Sequence, residues 1–137
     1  METVINARSE TVFLKSAFGG VRRCLVPASG WYEWTGERRR KTAWEISRKS
    51  GDIVVFAGIY DTWTAPNGVQ IQQAATLTCE PNEDVRKIHH RMGVVLDPSE
   101  FHLWLNAPQN EVLDLLQPLP NGILDIKPAK GVDWDAA

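Results

Sequence analysis

The chain is a series of short segments in which apolar residues alternate with polar ones or run together. Both patterns are typical of β-strands, and turn residues such as Pro, Asn and Gly separate the segments. The run at 53–63 is almost continuously apolar, which predicts burial on both of its faces. The predicted strands are 22–26, 31–35, 43–47, 53–63, 69–79, 92–96 and 123–127.

Three helices are predicted in the second half of the chain. The first spans 81–88 and has acidic residues in its first turn, the second spans 97–105 with a proline near its start, and the third spans 110–116. Residues 6–11 form a polar run that we interpret as a loop or as the cap of a short helix. Strands in hairpin order, with the helices gathered late, predict an α+β fold around a mostly antiparallel, barrel-like sheet with a few peripheral helices.

Composition sets the class of protein. A chain of 137 residues, 43% hydrophobic and with six tryptophans, predicts a single packed domain over 1–137. The net charge of −2 gives no global argument for nucleic acid, so such a site would need a local basic patch. Cys24 and Cys79 lack CxxC spacing and are predicted to be free thiols. The absence of a long apolar run and of a signal-peptide pattern predicts a soluble, cytoplasmic protein.

Glu33 is the first candidate for catalysis. It lies in the aromatic segment Trp31-Tyr32-Glu33-Trp34. A carboxylate in this setting either points outward from a strand or lies in an apolar pocket with a raised pKa. The second arrangement is the one that general acid–base catalysis uses, and the sequence leaves both open.

A histidine pair is the second candidate. His89 and His90 lie between a predicted helix and a predicted strand, and a histidine titrates near neutral pH and can move protons. Because adjacent residues of a strand point to opposite faces, at most one of them would serve a given site; the alternative is a surface pair beside Arg91. No metal site is predicted, since neither cysteine has ligand spacing and His102 lies on another helix.

Several residues have the chemistry to bind a sugar or a phosphate. Asn6 and Arg8 offer an amide and a forked guanidinium, although ordinary loop residues would look the same. Arg22 and Arg23 could contact a phosphate backbone, and Trp31 and Trp34 could stack on single-stranded bases. These tryptophans could equally be core residues, and the basic run 38–41 is interpreted as a solvated loop.

Four motifs together resemble those of the SRAP (SOS-response-associated peptidase) domain, whose members process abasic sites in single-stranded DNA. The matching segments are Asn6–Thr11, Arg23–Trp34, Phe56–Tyr60 and Ile88–Leu96. They occur in the family's order and cover most of the chain. The resemblance implies an abasic-site protein that needs no metal and no cofactor.

The resemblance also implies roles for individual residues. Asn6 would orient the nucleophile or the sugar, Arg8 would bind a flanking phosphate, Glu33 would relay protons, and His89 would assist at the sugar hydroxyl. Arg91, next to this histidine pair, is grouped with the DNA-binding residues. In the family the residue corresponding to His90 is variable, which selects His89 from the pair.

The chain departs from the family pattern at its start. The family begins Met-Cys-Gly-Arg-Phe, and the cysteine forms a thiazolidine with the abasic aldehyde, whereas residue 2 is Glu2 here and Asn6 follows almost at once. We therefore expect an N-terminally truncated domain that lacks the first strands, has lost the crosslinking step, and forms a homo-oligomer that covers the exposed sheet edge. The alternatives are a non-catalytic remnant or partner-binding module, and a start codon assigned too late. Gly93 replaces the family's usual proline, which would loosen the turn after Met92.

Overall fold

The computed structural model describes residues 3–12 and 21–131, and within them eight strands form two sheets. The first sheet has the order β1-β6-β5-β2, with β7 also paired to β6, and the second has the order β3-β4-β8. The α+β class is confirmed, but the two sheets are not closed into a barrel, which corrects the barrel-like expectation. The strands are β1 (Thr3–Arg8), β2 (Arg22–Ala28), β3 (Trp31–Thr35), β4 (Thr42–Arg48), β5 (Val54–Thr64), β6 (Gln70–Cys79), β7 (Met92–Gly93) and β8 (Leu124–Pro128).

Strand β1 corrects the interpretation of residues 6–11 as a loop or helix cap for residues 6–8, whereas residues 9–11 lie in a turn. It runs parallel to β6, with Asn6 opposite Thr76 and Arg8 opposite Thr78. Among the described residues every other ladder is antiparallel. Asn6 and Arg8 are exposed while Ala7 between them is buried, which is the two-residue alternation of a half-buried strand. Pairing with β6 outweighs the polar character that suggested a loop.

The helices are shorter than predicted. They are α1 (Glu83–Arg86), α2 (Phe101–Asn106), which continues a 3-10 helix over Pro98–Glu100, and α3 (Gln109–Val112), which leads into a 3-10 helix over Leu113–Leu115. The Asn82 side chain accepts a hydrogen bond from the Val85 amide and so caps α1. None of the described helices is long and apolar enough to cross a membrane.

The core lies where the sheets and the late helices meet. Trp104 of α2 is fully buried, and its indole N–H donates to the carbonyl of Cys24 at 2.9 Å, which fixes α2 against β2. In β5 the buried stretch runs from Val54 to Ile59, while Asp61–Thr64 is exposed. The predicted burial of 53–63 therefore holds for 54–59, whereas Ile53 is 62% exposed and the second part of the strand extends beyond the core.

Candidate functional site

A cleft of about 350 Å³ lies where β1 and β6 of the first sheet face β3 of the second. It brings together six residues that the sequence singled out as candidates, from separate motifs. Four of them are Asn6, Arg8, Glu33 and His89. The full lining is Asn6, Arg8, Trp31, Tyr32, Glu33, Phe56, Thr76, Thr78, His89, Arg91, Met92 and Gly93.

Glu33 and His89 contact each other on one wall of the cleft. The Oε2 atom of Glu33 lies 3.4 Å from Nε2 of His89, and the two side chains are 18% and 32% exposed. Burial raises the pKa of the Glu33 carboxyl, and the charge of His89 and the indole N–H of Trp31 lower that pKa in part. The Trp31 contact falls short of a full hydrogen bond. Of the two orientations that the sequence left open, the structure has Glu33 in the pocket.

The ring of His89 is held by the peptide groups of Arg91. Its Nδ1 lies 2.8 Å from the Arg91 carbonyl oxygen and 3.1 Å from the Arg91 amide nitrogen. Because one group accepts and the other donates, either neutral tautomer of His89 has a partner. The two histidines lie between α1 and β7, as predicted, and their rings stack, with centroids 4.6 Å apart.

Asn6 and Arg8 form the opposite wall of the cleft. The hydroxyl of Thr76 donates to Oδ1 of Asn6 at 2.7 Å, so the amide NH2 is the end that could donate to a ligand. The side chain of Arg8 is 66% exposed, and its guanidinium lies 3.6 Å from the Glu10 carboxylate. The parallel register of β1 with β6 brings Asn6 next to the threonine that orients it.

Arg91 lines the cleft, but its guanidinium is engaged by protein groups. It makes a two-pronged contact with Glu10, both distances being 2.7 Å, and donates to the Thr78 carbonyl at 2.8 Å. These contacts lower the pKa of Glu10 to about 2 and raise that of Arg91. Sequence reasoning missed Glu10, since 81 residues separate it from Arg91; its place two residues after Arg8 was the available signal.

The structure does not bring the remaining predicted DNA-binding residues to the cleft. Arg23 lies under α2, where its guanidinium donates to the Ala107 carbonyl and lies 5.5 Å from the Trp104 ring centroid. Burial lowers the pKa of Arg23. Arg22 is exposed on β2, and Trp34 lines a neighbouring groove.

Neither cysteine lines the cleft. Cys24 is on β2, and burial raises the pKa of its thiol. Cys79 is buried at the end of β6, and burial raises its pKa to about 11, so that it packs as the sequence suggested. Across residues 3–12 and 21–131 no cluster of three His, Cys, Asp or Glu side chains is placed to hold a metal ion.

Comparison with known proteins agrees with these features. The chain is 38% identical over 120 residues to abasic site processing protein YoaM of Bacillus subtilis and 32% identical over 143 residues to abasic site processing protein HMCES of Gallus gallus. Each alignment covers 85% of this chain, but 52% and 43% of the respective relative. The chain thus spans about half the length of the curated relatives it matches.

Solved structures show the same fold. A protein from Bacteroides thetaiotaomicron superposes with a TM-score of 0.85 at 31% identity, covering 92% of this chain and 58% of that one. A protein from Bordetella bronchiseptica superposes with a TM-score of 0.83 at 28% identity, covering 91% and 64%. Residues 1–131 match the family described as SOS response associated peptidase (SRAP). The chain therefore belongs to the SRAP family.

Proposed function

We propose that the cleft binds an abasic site in single-stranded DNA and catalyses the opening of its sugar ring. The observation that carries this proposal is the Glu33–His89 pair, 3.4 Å apart and partly withdrawn from solvent, facing Asn6 and Arg8 across the cleft. An acid and a base in contact on one wall, with an amide and a guanidinium on the other, suit a small polar sugar with a flanking phosphate. The abasic-site proteins similar to this chain support the same substrate class.

The proposed reaction requires one proton donor and one proton acceptor. A ring-closed abasic sugar is a hemiacetal: when its C1′ hydroxyl loses a proton and the ring oxygen gains one, the bond between C1′ and the ring oxygen breaks and an aldehyde forms. We assign the acceptor to neutral His89 and the donor to Glu33, whose raised pKa favours the protonated acid. Proton exchange between the two side chains then restores the starting state.

The opposite wall would hold the substrate. The NH2 group of Asn6, oriented by Thr76, would donate to a sugar oxygen, and the exposed guanidinium of Arg8 would bind a phosphate. Trp31 and Tyr32 give the cleft aromatic surface on which a flanking base could stack. Arg91, whose donors contact Glu10 and Thr78, would act mainly by holding His89 in place.

A crosslinking step would need a nucleophile in the cleft. Cys24 and Cys79 both lie outside it, and burial raises the pKa of each thiol. We therefore assign ring opening to this cleft and assign crosslinking to neither of these cysteines. The protein would work in the cytoplasm, where both thiols would stay reduced.

The experiment measures binding and ring opening separately. Fluorescence anisotropy compares a single-stranded oligonucleotide that has one abasic site with the same strand unmodified and with a duplex, and an alkoxyamine probe reports free aldehyde. We expect Glu33→Gln to slow aldehyde release by about 10²-fold or more. We expect Arg8→Ala to weaken binding about fivefold at roughly 0.1 M salt.

Two matched variants in an exposed loop, Glu37→Gln and Arg38→Ala, control for the removal of charge itself. Both should behave as the wild type does. Equal affinity for abasic, unmodified and duplex DNA, unchanged by Arg8→Ala, would overturn the proposal. That result would favour the alternative of a non-catalytic module that binds a protein partner.

A further inference from the structure

A second groove, with a volume of about 550 Å³, adjoins the cleft. His89 belongs to both linings, so the two depressions meet at the residue to which the proton-acceptor role is assigned. A polymer bound in the cleft at His89 would therefore enter this groove by passing that side chain. Its lining residues are Trp34, Thr35, Gly36, Pro81, Arg86, Lys87, Ile88, His89 and His90.

The charge of this groove suits a phosphate backbone. Among the described residues of its lining, Arg86 and Lys87 are fully charged and none is a carboxylate. A different groove on the other side of Lys87 has two lysines balanced by two aspartates, Lys49, Lys87, Asp84 and Asp125. Even when Glu83 is counted against Arg86, with which it pairs, the groove beside the cleft has one net positive charge, whereas the lining of this other groove has none.

Aromatic rings lead from the cleft into the groove. Tyr32 of the cleft and Trp34 of the groove are two residues apart in β3, so they share a face, and their ring centroids are 6.4 Å apart. On the other side the ring of His90 stacks on that of His89. Aromatic surface beside cations is the pattern that binds single-stranded nucleic acid without reading its sequence.

Arg86 is held at the wall of the groove. Its Nη2 donates to the Pro81 carbonyl at 3.3 Å, and its Nε lies 3.2 Å from the Glu83 carboxylate, while the side chain remains 56% exposed. This anchoring limits the conformational freedom of the arginine and leaves the guanidinium open to a ligand. Lys87, the next residue, is exposed.

We propose that this groove binds the nucleotides on one side of the abasic site, with phosphates on Arg86 and Lys87 and a base against Trp34 or His90. The proposal rests on the proposed function for the position of the abasic nucleotide. The occupant is a single strand, because the rings of Trp34 and His90 offer stacking surface to unpaired bases. Binding here would add affinity and would fix the direction in which the strand crosses the site.

The test uses a length series of single strands. A trinucleotide with a central abasic site is compared with strands extended by five nucleotides on the 5′ side or on the 3′ side, and unmodified strands of the same lengths are measured in parallel. In the wild type, one of the two extensions should tighten binding. In the double variant Arg86→Glu/Lys87→Glu, that gain should disappear, and the slope of log affinity against log salt should become shallower by about 0.7 for each phosphate that the variant no longer binds.

The controls separate this proposal from the function on which it rests. Lys49→Glu, which changes the neighbouring groove, should keep the full gain in affinity from strand extension. Lys87→Glu alone should bind the extended strand about fivefold more weakly at roughly 0.1 M salt, without disturbing the hydrogen bonds of Arg86. If the trinucleotide with the abasic site bound no better than the unmodified one, the proposed function of the cleft would be refuted. The series of unmodified strands would still test binding in the groove. A double variant that gained as much from extension as the wild type would overturn the proposal.

Discussion

The buried Glu33 carboxyl destabilises the folded protein when it is charged, and in our proposal it serves as the proton donor. The carboxyl is withdrawn into the cleft, and burial raises its pKa in the folded protein. The folded state thus binds this proton more tightly than the unfolded chain does. The stabilising contribution of the protonated carboxyl is fully present below the ordinary pKa of 4.5 and is lost as the pH rises through the raised folded value.

Substituting the residue should separate stability from activity. As the pH rises through the raised pKa, the wild-type carboxyl becomes charged in a mostly buried position. We then expect Glu33→Gln to melt a few degrees higher than the wild type, since about 1 kcal/mol corresponds to roughly 4 °C in a domain of this size. At about pH 4 the two melting temperatures should be nearly equal, because the wild-type carboxyl is then protonated. Thermal unfolding followed by circular dichroism checks this, and Glu37→Gln should show no such pH-dependent gain.

Glu10 has the opposite linkage. Its pKa falls from 4.5 to about 2 because of the contact with Arg91, so its contribution to stability is present above pH 4.5 and is lost as the pH falls through about 2. We expect Glu10→Gln to reduce the free energy of unfolding by on the order of 1 kcal/mol at pH 7, allowing for solvent screening at a carboxylate that is 43% exposed. The variant should also have a flatter stability profile between pH 4.5 and about 2.

The consequence of this variant for His89 distinguishes positioning from simple stability. Arg91 holds the His89 ring through its own peptide groups, so loosening the Arg91 side chain should slow aldehyde release at temperatures where the protein is fully folded. Glu83→Gln removes a comparable but exposed ion pair with Arg86 and should cost only a few tenths of a kcal/mol. Unchanged aldehyde release in folded Glu10→Gln would show that the Glu10–Arg91 pair has no positioning role.

At the scale of elements, the short strand β7 determines the shape of the cleft. Gly93 pairs with Thr78 in this strand rather than lying in a loosened turn, which corrects the expectation from sequence. A Cβ atom at position 93 would overlap the Phe56 ring, and Phe56 in turn meets Trp31 edge to face with ring centroids 5.5 Å apart. The glycine therefore makes room for an aromatic pair that lines the cleft.

This packing predicts strong coupling between positions 93 and 56. Gly93→Ala should cost about 1–3 kcal/mol of unfolding free energy through overpacking. Phe56→Leu should be destabilising alone, yet should relieve much of that cost in the double variant, so the double-mutant cycle should give a coupling energy of about 1 kcal/mol or more. Denaturant unfolding of the four proteins checks this. If the two changes in unfolding free energy were additive, the Phe56 ring would be free to move away from a side chain at position 93.

The elements also show what the sequence could predict. Strands with alternating or continuous apolar residues, from β2 to β6 and β8, lie close to their predicted positions. Strand β1 was not predicted, because its pairing with β6 joins residues about 70 positions apart and its local composition is that of a loop. The helices were predicted too long, because the chain changes from α to 3-10 geometry around α2 and α3. Periodicity reports burial, but it does not report which elements meet.

The same limit applies to the site. Glu33, His89, Asn6 and Arg8 were candidates from their chemistry, and the resemblance implied their roles. They lie in one cleft because β1 and β3, from different sheets, face each other there. Arg23 was predicted as a DNA-binding residue, yet it packs against Trp104 of α2. Nothing in the local sequence distinguishes an arginine that covers a tryptophan from one that faces solvent. That difference arises only when α2 docks on β2.

At the scale of the whole molecule, local charge matters more than the total. The net charge of −2 is unfavourable for a polyanion, but Arg8 lies in the cleft and Arg86 and Lys87 lie in the adjoining groove. A patch of this kind acts over about a Debye length, roughly 10 Å at 0.1 M salt, so it can attract a strand despite the overall sign. Binding that survives at low salt and weakens steeply as salt is added is the expected behaviour.

Our proposal for association between copies of the chain concerns one edge of the first sheet. Among the described residues β1 pairs with β6 alone, so its other side presents backbone N–H and C=O groups in the manner of an open edge strand. We propose that two copies pair or exchange strands at this edge. Sedimentation velocity over a wide concentration range should then show a concentration-dependent dimer, and amides of Asn6–Arg8 should exchange more slowly with deuterium in the dimer than in the monomer.

A second exposed feature must be distinguished from this edge. The end of the β5–β6 hairpin holds Trp63, which is 50% exposed, and Val69, which is 53% exposed, so apolar contact there could also join two copies. Trp63→Ser should leave an edge-paired dimer intact and should dissociate a dimer held by the hairpin. A monomer at every concentration, with rapid exchange throughout Asn6–Arg8, would refute edge pairing. Such an outcome would mean that the charged side chain of Arg8 is enough to keep the open edge from pairing, as basic residues do on many exposed strands.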